Sequence, residues 1–200
     1  MRTKVFLLTI FTALLSANSE AALIQLGGFL NGANEFPANA SKGTGVGNVV
    51  YDSTAHTLQI GISFSGLTGT TTASHIHCCV SPGAPTPTAG VATTTPNFAG
   101  FPLGVTSGTF FNTLDLTQAS SYNPAFVTAN GGSISASEAA LAAGFANGTT
   151  YLNIHTSTFG GGEIRAFLQP AVPEPATSLL TIAGLAALCL LARQGATDHK

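Results

Sequence analysis

The sequence predicts an all-β fold, an antiparallel β-sandwich with one short helix, and three observations carry that expectation. Leu58, Ile60, Ile62 and Phe64 fall on one side of a segment whose other side holds Thr57, Gln59, Gly61, Ser63 and Ser65. That period of two is the pattern of a strand with one buried and one wet face. Thr149 to Thr156 and Glu163 to Gln169 alternate in the same way around the glycine-rich Ser157 to Gly162, which predicts a hairpin. The 23 glycines and 10 prolines gather with Asn, Asp and Ser between such segments, as turns do. Many short strands punctuated this way point to a sandwich or barrel.

Taken in order, the chain begins with a basic Met1-Arg-Thr-Lys4, an apolar run from Val5 to Ala17, and small residues at Ser19 and Ala21. Residues 1–21 are therefore read as a secretory signal peptide. Leu23 to Leu30 is expected as the first strand, with Gly27-Gly28 marking a bulge or a close approach. A turn at Asn31-Gly32 and a loop at Glu35-Phe36-Pro37 follow. Gly43 to Tyr51 is the second strand, and Asp52 to Ala55 turns it into the Leu58–Phe64 strand. Gly66 to Gly69 then leads into Thr70 to His77. Ser81 to Gly100 carries four prolines and reads as one long loop, a kind of segment that often carries function. Val105 to Leu116 has strand propensity, and Ser120 to Asn130 shows no preference. Ser135 and Glu138 fit a capping box, so the helix is expected to start there and to end at Gly144 or Asn147-Gly148.

Residues 22–170 have one domain's length and can bury about two thirds of their unfolded surface. Lys42 and Arg165 face Glu35, Asp52, Asp115, Glu138 and Glu163, two cations against five carboxylates and a net of −3 with histidines neutral. Without a basic patch, nucleic acid is excluded as a partner. No nucleophile elbow, phosphate-binding loop or carboxylate pair is present, so a non-enzymatic role is expected. Cys189 lies in the apolar tail. Only Cys78 and Cys79 remain in the domain, and no disulfide can join distant loops within one molecule.

Chemically capable side chains concentrate in Ser74-His75-Ile76-His77-Cys78-Cys79 and in Tyr151-Leu-Asn-Ile-His155-Thr156. On a strand, His75 and His77 share a face, and His155 can supply a third imidazole. Two readings stand. In one, His75, His77 and His155, with Cys78 and Cys79 as soft ligands, bind copper or zinc. In the other, the histidines belong to a hydrogen-bonded polar cluster with Glu163 and Arg165. The cysteine pair is metal-bound, bridged to itself, paired between molecules, or simply two small buried hydrophobes.

At the C-terminal end, Val172-Pro-Glu-Pro175 precedes 17 uncharged residues, Ala176 to Ala192, and then Arg193. The run is at the short limit of a membrane-spanning helix, with Arg193 at its cytoplasmic end. The triplet, the apolar segment with Gly184-Leu185 and the following arginine resemble the PEP-CTERM sorting signal of Gram-negative bacteria. The resemblance implies that Pro173, Glu174 and Pro175 are the address and that residues 171–200 are a sorting tail with a transmembrane helix at 176–192. It also implies that an exosortase-type membrane enzyme is the processing partner. The protein would then be exported to the cell envelope or extracellular matrix after transient anchoring in the inner membrane.

The domain itself resembles the CHRD family. The likeness runs through Gly32-Ala-Asn-Glu35-Phe-Pro37, Phe64-Ser-Gly-Leu67, Ala73-Ser-His-Ile-His77, Tyr151-Leu-Asn-Ile-His-Thr156 and Gly161-Gly-Glu-Ile-Arg165 in that order. It implies a CHRD-type β-sandwich over residues 22–170 and an extracellular setting, more than it implies chemistry. The expected function is thus an exported, non-enzymatic envelope or matrix protein whose domain binds or supports extracellular polysaccharide or matrix. The alternative is a copper- or zinc-binding redox or metal-handling protein.

Overall fold

A computed structural model describes residues 23–171 except Pro82 and Pro85. The expected signal peptide, the sorting triplet and the expected transmembrane helix lie outside the described residues. Eight strands form one antiparallel sheet: β1 Leu23–Asn31, β2 Thr44–Asp52, β3 Thr57–Ser65, β4 Thr71–His77, β5 Gly108–Asp115, β6 Tyr151–Thr156, β7 Ile164–Phe167 and β8 Gln169–Pro170. The order across the sheet is β4-β6-β7-β1-β2-β3-β5, and β8 extends the pairing along β1. The expected hairpin is present, with Tyr151 opposite Phe167 and Ile154 opposite Ile164.

The sheet curls because its inward residues share one core. Leu58, Ile60, Ile62 and Phe64 of β3 join Ile76 of β4 and Leu152 and Ile154 of β6 in a single apolar cluster. Each such side chain contributes about 1.5–3 kcal/mol when fully buried. β2 and β6 are not hydrogen-bonded neighbours, yet a Cβ on Gly47 would lie 2.6 Å from Leu152 Cδ2. The curl thus brings one arm of the sheet onto the other. Gly28 meets the expectation of a close approach, since a Cβ there would lie 2.7 Å from Ala166 Cβ.

The loop from Cys78 to Ser107 covers the outer edge of β4. Ile76 accepts from Ala92 N at 2.9 Å and Ser74 from Phe98 N at 3.0 Å. Thr71 exchanges backbone hydrogen bonds with Gly104 and Val105 at 2.9 and 2.8 Å, which links the β4 edge to the entry of β5. Covering an edge in this way blocks pairing with other chains.

Among the described residues, two α-helices stand where one was expected in the domain. α1 Pro124–Ala129 fills part of the segment without preference, capped by Asn123, whose side chain accepts from Ala125 N. α2 Ile134–Ala146 is longer than the expected helix. Its N-cap is Ser133, not Ser135, because Gly131 and Gly132, both at positive φ, turn the chain two residues earlier. Glu138 is therefore free of capping. It accepts from Tyr51 Oη at 3.0 Å and meets His56 Nδ1 at 2.9 Å, which ties α2 to the β2–β3 turn.

Candidate metal centre

Strand register assembles the three histidines. On β4 and β6, His75 lies opposite Asn153, His77 opposite Tyr151 and Ala73 opposite His155. The small side chain of Ala73 leaves His155 room to lean toward His75. Ring centroids are 4.7 Å apart for His75–His77 and for His75–His155, and 6.1 Å for His77–His155. One nitrogen from each ring lies within 4.8 Å of the other two, and no further His, Cys, Asp or Glu joins this group among the described residues.

Each ring is oriented by a backbone carbonyl. Nδ1 of His75 reaches Pro96 O at 3.0 Å, that of His77 reaches Ala89 O at 2.7 Å, and that of His155 reaches Gly160 O at 3.0 Å. A carbonyl only accepts, so each Nδ1 carries the proton and each Nε2 presents a lone pair. Carbonyl-anchored imidazoles of this kind are how proteins aim metal-ligating histidines. Here His75 Nε2 and His155 Nε2 stand 3.0 Å apart, two acceptors with no hydrogen between them. His77 Nε2 is buried without a partner. Leaving such groups unpaired is costly. A cation taking up the lone pairs of His75 and His155 would relieve that repulsion, and His77 Nε2 would be its third donor.

Electrostatics favours the neutral, ligating form. Burial pushes His75 down to about 4, and nearby His155 adds to that, with the Pro96 carbonyl opposing. Burial takes His77 down to about 3, and it also lowers half-buried His155.

A column of stacked groups supports His77. Tyr151 lies parallel to it at 4.4 Å, 8° from coplanar, and its hydroxyl donates to Ala89 O at 3.2 Å. The Arg165 guanidinium sits 4.8 Å over the Tyr151 ring and donates to Pro87 O at 3.0 Å and to Asn34 O. Its Nε is 3.8 Å from Glu35 Oε2. Burial pushes the Glu35 carboxyl up to about 7, with Arg165 and Asn153 pulling the other way.

The structure does not bring Cys78 and Cys79 to the histidines. They are joined to each other, and their sulfurs face Ala140 O of α2 at 4.0 and 3.7 Å. A bridged pair offers no thiolate, and alternation along the chain turns Cys78 with Ile76 to the other side. A cleft of about 670 Å³ opens at Cys79, Ala140 and Gly144, away from the imidazoles. Glu163 and Arg165 do not form one cluster either. The fully buried Glu163 accepts from Ser41 Oγ at 2.6 Å, Thr156 Oγ1 at 2.6 Å, Thr68 N at 2.5 Å and Gly69 N at 3.1 Å. Burial raises its pKa, and these four donors outweigh that and hold it below the usual range. Glu163 is a clamp between the β6–β7 turn and the β3–β4 turn. Glu35 was not among the expected site residues, although it stands in the Gly32–Pro37 motif.

The fold is a curled antiparallel sheet whose histidine cluster is covered by loops. The family model of the CHRD domain matches residues 28–168, and the chain belongs to that family. The PEP-CTERM protein-sorting motif matches residues 171–194. It marks the chain for export and for processing by an exosortase-type membrane enzyme, with envelope or extracellular association in a Gram-negative bacterium. No curated protein and no solved structure matches the chain.

Proposed function

We propose that this exported protein is a non-enzymatic envelope or matrix module whose CHRD domain holds one copper or zinc ion through Nε2 of His75, His77 and His155. The carrying observation is the convergence of three lone pairs whose opposite nitrogens are all tied to carbonyls. Imidazole suits both metals, and three protein ligands leave a position open to an outside ligand. On this reading residues 1–21 leave as a signal peptide, and residues 176–192 hold the chain in the inner membrane until the tail is processed.

The test is metal analysis of the purified, untagged protein after exposure to equimolar copper or zinc and removal of loose ion. About one equivalent is expected, falling at least tenfold in His77→Ala and in His155→Ala. A wild-type protein that keeps essentially no metal, or variants that lose stability while keeping the ion, would end the reading.

A further inference from the structure

The sheet has an exposed surface on the arm opposite the buried histidines. Register aligns Gly27, Asn48, Gly61 and Phe111 in one row across β1, β2, β3 and β5. All four point outward, because their neighbours Leu26, Val49, Ile60 and Phe110 are buried. Phe111 is 72 % exposed and Phe29, one row away, is 56 % exposed. The Phe111 ring lies beside Gly61, where a Cβ would sit 3.9 Å from its Cδ2. The Asn48 amide lies beside Gly27 in the same manner, at 3.7 Å. The glycines thus leave a shallow floor between two aromatic rings, about 16 Å apart across three strand spacings and one row. Asn48, Ser63 and Thr109 supply an amide and two hydroxyls to the floor, Val46 stands exposed beside Phe29, and Gln59 lies in the next row. Charge enters only at the end of the arm, where Asp52 pairs with Thr57 and Thr57 with Asp115.

We infer that this face binds a neutral polysaccharide. Aromatic rings present a negative π-face to the C–H groups of a sugar ring, and side-chain amides and hydroxyls match its hydroxyls. The absence of charge on the floor suits a partner without charge. A second copy of the chain fits less well. Phe29 stands beside exposed Val46 on β2, and Phe111 stands apart from them across Ser63 and Thr109, so the apolar groups form two small patches and not the contiguous one that a stable dimer of about 1,000 Å² or more requires. The inference does not depend on the metal centre, which lies on the other arm.

Affinity electrophoresis of the full exported protein in gels containing dextran or galactomannan tests it, with alginate as the anionic control. Retardation is expected in at least one neutral gel and not in alginate. Phe111→Ala should weaken it about tenfold, and Phe29→Ala combined with Phe111→Ala should abolish it. Both side chains are largely exposed, so circular dichroism and melting should not change. Stripping metal should leave the retardation intact, which separates this result from that of the histidine site. Migration unaffected by either neutral polymer overturns the inference, as does equal retardation of the double variant. A dimer seen in sedimentation and abolished by the double variant, without retardation, would assign the face to a second copy instead.

Discussion

At Glu35, burial holds the carboxyl at about 7 in the fold against an ordinary 4.5. The folded state keeps a proton that the unfolded chain has released, so this contribution is full below pH 4.5 and is lost as pH rises through 7. His75 and His77 run the other way. Their folded values of about 4 and 3 lie below an ordinary 6.5. The unfolded chain takes up those protons first, and stability is lost as pH falls from 6.5 toward the folded values. Metal-free protein should therefore be most stable between these limits. Glu35→Gln mimics the protonated acid and should remove the alkaline loss, on the order of 2 kcal/mol between pH 5 and 8. Denaturant melts across that range measure it. An alkaline loss as large in Glu35→Gln as in the wild type would place the retained proton elsewhere.

Among the elements, β2 and β3 carry glycines with opposite roles. Gly47 faces the core, where a Cβ would press on Leu152 of β6 at 2.6 Å. Gly61 faces outward, with its nearest neighbours at 3.8 and 3.9 Å. Gly47→Ala should cost about 1–3 kcal/mol through overpacking, whereas Gly61→Ala should change stability by no more than about 0.5 kcal/mol. Urea unfolding of the two variants decides the matter, and equal losses would mean that the arms of the sheet do not meet there. The strands were legible because alternation is local: Leu58 to Phe64 reads as β3 without help from the rest of the chain. The convergence of His75, His77 and His155 was legible in part, through strand parity on β4 and β6. Their anchors were not, because Pro96, Ala89 and Gly160 act through main-chain carbonyls that leave no side-chain signature. The partner of Glu35 lies far away in sequence at Arg165, and the start of α2 was set by a glycine pair that the downstream Ser135–Glu138 pattern outcompeted on paper.

For the whole molecule, the fold closes just where the sorting tail begins. β8 pairs with β1 through Pro170 opposite Leu26, and Ala171 N donates to Gln25 O at 2.7 Å. The sorting motif starts at the same residue, 171, so processing beyond Pro173-Glu174-Pro175 leaves every described strand intact. Glu174 is the one charged residue between Arg165 and Arg193, and we propose that its carboxylate is the chemical mark by which a membrane enzyme tells this tail from a plain apolar anchor. Glu174→Ala should therefore leave export and the melting temperature of the domain unchanged while altering the C-terminal mass or the location of the mature protein. Intact-mass analysis of envelope and medium fractions, in a host that has the sorting enzyme, reads both at once. A mature mass and distribution identical to wild type would show that Glu174 takes no part in sorting.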